Sequence, residues 1–243
     1  MGSLMRQDWL NPATLRDATA VQRDMAASAE QLDRIGTVRL VAACDTSSKW
    51  RDTRGPVHAA VAPATWPDAT ALPAAAVTQT PPFPYVPGYL GFREAPAIVA
   101  AWSLLPQPPD LLLVDGQGRA HPRRCGIAVQ LGLLLDVPTI GVAKSLLCGT
   151  VEDEPGPTAG DRAPVVDRGE TVALALRTRA RAAPIYVSGG HRVSLESAAD
   201  WVLRLCDGRR LPWPIRLAHD AANARRRAYM DQVAETAAER PEH

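Results

Sequence analysis

The sequence predicts an α/β fold: a mixed central sheet flanked by helices. Three observations predict it. The chain has 243 residues and is 46% apolar, enough for a core that needs no disulfide or metal staple. Three short apolar runs in its first third are separated by turn residues, the pattern of an antiparallel meander. Its middle alternates strand-like and helix-like segments, which implies parallel pairing through right-handed crossovers.

The elements follow in order. In residues 1–35, Leu15, Val21, Met25 and Leu32 share a rough helical phase, so a peripheral N-terminal helix without strong caps is expected. Val38 to Cys44 is a short apolar run followed by Asp45, a buried strand with a carboxylate at its end. Residues 57–61 and 75–80 complete the meander, with Arg54-Gly55-Pro56 and Trp66-Pro67-Asp68 as breaks. Pro81-Pro82-Phe83-Pro84-Tyr85-Val86-Pro87-Gly88 holds four prolines in seven residues. Prolines fix φ and remove amide donors, so this is a stiff loop. A helix opening at Glu94 runs to Leu105, with Ile98, Val99, Trp102 and Leu105 on one side. Residues 110–114 form a strand ending in Asp115, residues 124–135 a helix, and residues 138–142 a strand with Lys144 just past it.

The stretch 152–170 is acidic and rich in Pro and Gly, and reads as a surface excursion. Residues 171–176 and 185–187 are two further strands. Ser194 caps a helix over 195–206. A last helix starts near Ile215, and the Ala- and Glu-rich tail beyond Asp231 is expected to fray. All 243 residues are expected to form one domain.

Composition narrows the function. No apolar run approaches the ~20 residues of a membrane helix, and the N-terminus has no apolar signal core. A soluble, cytoplasmic protein is expected, without a membrane partner and as a monomer. Cysteines 44, 125, 148 and 206 form no C-x-x-C pair, so buried reduced thiols are the plain reading. The basic side chains are 25 Arg against only Lys49 and Lys144; a lysine retained on such a background hints at a role for a compact point charge. Net charge is +1, but residues 177–227 carry eleven Arg against four acids. That surplus suits either a phosphate-binding face or solvated helix faces.

Three carboxylates carry the candidate chemistry. Asp45 and Asp115 end neighbouring strands, where open α/β sheets place ligand groups. Glu94 opens the joining helix. Carboxylates gathered in this way repel unless a cation neutralises them, and hard oxygen donors suit Mg²⁺ or Mn²⁺. An Asp after a strand is also a common turn residue, so the pattern alone leaves both readings open. Gly116 and Gly118 allow close backbone approach after Asp115. His121 falls in the following loop, and His219 on the last helix beside Asp220.

Several of these segments resemble a known family. Pro84-Tyr85-Val86-Pro87-Gly88-Tyr89-Leu90-Gly91-Phe92-Arg93-Glu94 resembles the damage-recognition segment of endonuclease V, the deoxyinosine-specific repair nucleases. Val114-Asp115-Gly116 through His121-Pro122-Arg123-Arg124, and Asp136 through Lys144, resemble its central block. Gly190 through Glu196 and Leu211-Pro212 through His219 resemble its last third. The resemblance spans about residues 31–220 and implies a ribonuclease H-like fold. It also implies that Asp45, Asp115 and Glu94 bind Mg²⁺, with Mn²⁺ as substitute. Tyr85, stiffened by Pro84 and Pro87, is then the wedge beside the lesion. The backbone of Gly88, Tyr89 and Leu90 takes the everted hypoxanthine, with Gly116 nearby. His121, Lys144 and His219 surround the scissile phosphate, the two histidines gripping it or moving a proton. The implied partner is inosine-containing DNA, and the implied cut is at the second phosphodiester bond 3′ to the lesion, leaving 3′-hydroxyl and 5′-phosphate ends. Inosine in RNA is the alternative substrate, and a non-cleaving inosine-binding module the alternative class. The sequence departs from the family's pattern around Ala43-Cys44-Asp45-Thr46-Ser47 and at Gln117, where many members carry His.

Overall fold

The computed structural model describes residues 9–49 and 52–238. Residues 1–8 of the expected N-terminal segment and 239–243 of the expected tail lie outside the described residues. One nine-stranded sheet runs through the protein in the order β3-β2-β1-β4-β5-β9-β8-β7-β6. The strands are β1 (Leu40–Ser47), β2 (Val57–Thr65), β3 (Ala75–Gln79), β4 (Leu111–Asp115), β5 (Thr139–Ala143), β6 (Thr150–Val151), β7 (Arg162–Asp167), β8 (Glu170–Leu176) and β9 (Ile185–His191). β1, β4 and β5 pair in parallel and their neighbours antiparallel, the mixed sheet that the sequence predicts.

Helices cover both faces: α1 (Leu15–Ser28), α2 (Leu90–Trp102) and α3 (Ile127–Leu135) on one, α4 (Leu195–Arg204) and α5 (Trp213–Ala238) on the other. The period-2 alternation of the strands sets these layers. Ala42 and Cys44 face α2 and α3 together with Leu112 and Val114. Val41 and Ala43 face α4 and α5 with Leu111 and Leu113. Fully buried strands of this kind read as continuous apolar runs, which is why the sequence located them.

Four expectations about the strands and α2 are corrected. β1 continues to Ser47, so Asp45 lies within the strand; Thr46 and Ser47 still pair with Ala59 and His58 of β2. α2 starts at Leu90, so Glu94 sits in its second turn; the helix carries Pro96 inside it, and the proline-rich approach masked the true start. The excursion at 152–170 contains β7, whose Ala163 and Val165 are buried, Ala163 paired with Ala175 of β8 and Val165 packed with Val172, Ala173 and Ala175. Its prolines and acids hid that alternation, and Pro164 is tolerated near the sheet edge. β9 extends to His191 because Gly189 and Gly190 lie in the strand, where the loop after β4 crosses it; a Cβ on Gly118 would stand 2.3 Å from the Gly189 carbonyl oxygen.

The N-terminal helix is also more than peripheral. Thr14 caps it by accepting from the Asp17 amide at 3.1 Å, and its buried row is Ala18, Gln22 and Met25. A polar residue in the middle of that row spoiled the apolar phase, while Leu32 is exposed. At the other end α5 starts at Trp213 and is helical to Ala238, through much of the stretch beyond Asp231 that the sequence reading expects to fray. Ser194 caps α4 as expected, and the four cysteines are free thiols.

Candidate active site

Asp45 and Asp115 stand side by side on β1 and β4, one step past the registered pair Cys44 and Val114. Asp45 shares the parity of Val41 and Ala43 and meets α5. His219 Nδ1 lies 2.8 Å from its Oδ2, and the Thr46 amide donates to Oδ1 at 2.7 Å. Burial and the neighbouring Asp115 carboxylate raise the Asp45 pKa, against the His219 hydrogen bond. Asp115 Oδ2 accepts from Lys144 Nζ at 2.5 Å. Glu94 comes from the opposite layer, bonded to Thr46. Burial pushes its carboxyl up to about 7, against that hydrogen bond and with the Asp45 charge adding to the rise. Cys44 lies behind all three. Burial, then the fields of Asp45, Asp115 and Glu94, raise its thiol well above the ordinary range.

The carboxylates are therefore near enough to feel one another, yet they do not form a ready-made cage. Among the described residues, no three His, Cys, Asp or Glu side chains stand close enough together to hold an ion. The layers explain this: Asp45 is turned to His219, Asp115 to Lys144, and Glu94 to Thr46. Still, the donor set is chemically suited to a hard cation. It holds three carboxylates, two of them raised by burial, and a divalent cation would relieve that charge.

His219 is held from behind by a continuous series of donors. Arg226 Nε–H donates to Ser47 Oγ at 2.9 Å and the Ser47 hydroxyl to Asn223 Oδ1 at 2.8 Å. Asn223 Nδ2–H then donates to His219 Nε2 at 3.0 Å. This places the ring proton on Nδ1, facing Asp45. Sequence reasoning missed Ser47, Asn223 and Arg226. The signal was present, since 219, 223 and 226 fall on one helix face.

A cavity of about 340 Å³ opens beside the Asp115–Lys144 pair, within the size range of small-ligand sites. Tyr85, Pro87, Gly88, Leu90, Gly91, Gly116 and His121 line it. Tyr85 is 50% exposed. Its amide donates to the Thr53 carbonyl at 3.4 Å, and buried Arg93 clamps the same loop by donating to the Thr53 and Gly55 carbonyls at 2.7 and 2.9 Å. α2 begins at the cavity wall without a side-chain cap, which leaves its first amides without a side-chain acceptor.

Two expected site residues, Tyr89 and His121, are held by contacts of their own. Tyr89 does not line the cavity. Its ring lies under Arg123, 4.3 Å from the guanidinium carbon, its hydroxyl meets Thr19 at 2.7 Å, and its amide is turned onto the Val86 carbonyl. His121 is 3% exposed, with both ring nitrogens engaged: Nε2 at 3.0 Å from the Gly88 carbonyl oxygen, and Nδ1 accepting from the Arg123 amide at 3.2 Å. Burial lowers its pKa to about 4, against the Gly88 hydrogen bond, so the ring is neutral near pH 7. The basic stretch 177–227 is partly structural. Arg177 and Arg210 donate to loop carbonyls, and Arg216 pairs with Asp207.

Comparison with known proteins identifies the lineage. The profile of the Endonuclease V family matches residues 22–220. The chain belongs to the endonuclease V family. It is 49% identical over 231 residues to the endonuclease V of Rhodospirillum centenum, covering 95% of this chain and 96% of the relative. The crystal structure of the Streptomyces avermitilis endonuclease V superposes with a TM-score of 0.84 at 38% identity, covering 94% of this chain and 98% of that one. The Ciona intestinalis endonuclease V, solved with a 24-mer DNA containing an inosine followed by a ribo-adenosine, has a TM-score of 0.76 at 25% identity and covers 88% and 98%. The protein is thus a nuclease, a hydrolase of a metal-dependent family. Among the described residues, no helix is long and apolar enough to cross a membrane.

Proposed function

We propose that this endonuclease V recognises deoxyinosine in DNA and hydrolyses the second phosphodiester bond on its 3′ side, leaving 3′-hydroxyl and 5′-phosphate ends. The observation that carries the reading is the cavity. It joins an exposed aromatic on a stiff loop, uncapped helix amides and a carboxylate–lysine pair in one place. A base must leave the stack to be read, at a cost of a few kcal/mol. Tyr85 is the side chain to hold the gap open, on a mount that Arg93 and the prolines keep rigid. Hypoxanthine presents a carbonyl where adenine presents an amine. Amide donors at the head of α2 suit the carbonyl and leave adenine poorly matched.

The hydrolytic centre lies beside the cavity. Asp45, Asp115 and Glu94 are the residues to hold Mg²⁺, with Mn²⁺ as substitute. When bound, the ion supplies a Lewis acid that polarises the phosphate. Lys144, fixed by Asp115, offers a point charge to a phosphate oxygen or to the attacking water. His219, fixed as the Nδ1–H tautomer by Asn223, donates to Asp45. Being exposed and held only by side chains, where His121 is buried against backbone groups, it is the histidine that can be released to move a proton at the reacting phosphate. We further propose that the chain acts as one domain and as a monomer in the cytoplasm.

The test is a labelled duplex with a single deoxyinosine, incubated with Mg²⁺, Mn²⁺ or chelator, with the cut site mapped. Nicking of undamaged duplex at an equal rate, or a cut 5′ to the lesion, overturns the proposal. A matched oligonucleotide with ribo-inosine decides whether RNA is the better substrate.

A further inference from the structure

One backbone carbonyl in the recognition loop receives more donors than it needs. The Gly88 oxygen accepts from Arg123 Nη2 at 2.7 Å, from Gln22 Nε2 at 3.0 Å and from His121 Nε2 at 3.0 Å. A carbonyl has two lone pairs and a single donor satisfies it, so three donors, one of them fully charged, act to orient it. The donors come from two separate segments, α1 and the loop after β4. Gln22 is 3% exposed and also accepts from Arg123 Nε, so the donors are themselves tied together. Gly88 lies at φ +78, in the left-handed region. A Cβ there would stand 3.1 Å from Arg123 Nη2, so this turn and its clamp fit only glycine closely.

We propose that Gln22, His121 and Arg123 are positioning residues for lesion recognition: they fix the peptide plane after Gly88 and thereby keep the following amides, at the head of α2, aimed into the cavity. The proposal rests on the reading that this cavity takes the everted base. It moves His121 from the scissile phosphate to the recognition loop. A buried neutral imidazole that donates to a carbonyl and accepts from an amide has no free nitrogen for proton transfer. It also gives α1 a function, because the polar residue in its buried row is the one that reaches the loop. A pre-set backbone loses less ordering entropy when the base enters, so the clamp acts on affinity for the lesion.

The test measures binding to an inosine duplex and to its undamaged counterpart by fluorescence anisotropy in chelator, and nicking with Mg²⁺. Gln22→Met keeps the volume and removes the amide. His121→Ala removes the donor, and His121→Gln restores a donor without a titrating ring. We expect Gln22→Met and His121→Ala each to lower the preference for inosine duplex about tenfold, the worth of one lost buried hydrogen bond. His121→Gln recovers most of that loss, and the loss falls on KM more than on kcat. Equal weakening on both duplexes, or a His121→Gln enzyme with as little preference for inosine duplex as His121→Ala, overturns the proposal. Gln22→Met serves as the second variant should His121→Ala fail to fold. A wild-type enzyme without inosine preference removes the reading of the cavity and the clamp with it. A wild-type preference that all three variants retain removes the clamp alone.

Discussion

Glu94 offers a quantitative test of the proposed metal centre. Its carboxyl rises from 4.5 to about 7 because it is buried. At about 1.4 kcal/mol per pH unit, ionising it in the fold costs about 3 kcal/mol. The fold binds this proton more tightly than the unfolded chain does. Its stabilising contribution is therefore present below pH 4.5 and lost as pH rises through about 7. Glu94→Gln keeps the shape and removes the charge. Without divalent ions, the variant should match the wild type near pH 4.5 and exceed it at pH 8. The excess of about 3 kcal/mol corresponds to roughly 6–12 °C in Tm for a chain of this size. Added Mg²⁺ at pH 8 should recover much of the wild-type deficit by binding the folded state, and should do less for the variant. The assay is a thermal melt from pH 4.5 to pH 8, with chelator and with Mg²⁺. Wild type and variant with the same pH dependence in chelator would refute the claim that Glu94 is a destabilised buried acid. An equal response to Mg²⁺ would remove it from the proposed metal site.

Other expected outcomes follow from the same geometry. Asp115→Asn should lower nicking of an inosine duplex by about 10²-fold or more while leaving Tm within about 2 °C, as expected for a residue acting at the reacting phosphate rather than in the core. Asn223→Ala should free the His219 ring and lower kcat about tenfold with DNA affinity unchanged, the worth of one orienting hydrogen bond. Tyr85→Ala should weaken inosine binding about tenfold more than binding to undamaged DNA, the loss of one aromatic contact to a base. His121 has its pKa lowered to about 4 by burial. Its contribution is present above pH 6.5 and lost as pH falls toward 4, so His121→Gln should resist acid unfolding better than wild type in that window.

The sheet was legible because its strands are apolar on both faces, and buried parallel strands announce themselves as runs. The paired aspartates were legible for the same reason, as the first charges after such runs. What escaped was polar structure. β7 was hidden because its two buried residues, Ala163 and Val165, alternate with proline and charge. The start of α2 was hidden because Tyr89 caps it with no side-chain bond, and the proline-rich approach reads as loop to the end. Gln22 was hidden because a polar residue in a buried row breaks the apolar phase that marks a helix face. The partners of His121 were not legible, since a sequence shows that a histidine follows a strand and not what its two nitrogens touch.

The proposed hydrolytic centre is gathered from distant parts of the chain, and this governs when it exists. Asp45, Glu94, Asp115 and Lys144 all leave the ribosome before α5 (Trp213–Ala238) is made. Until that helix docks, Asp45 lacks His219, and β1 and β2 lack one of their covering layers. A nascent chain therefore carries the acids without the imidazole that faces Asp45. A chain cut short before α5 would thus lack both the partner of Asp45 and the layer that buries one face of β1 and β2.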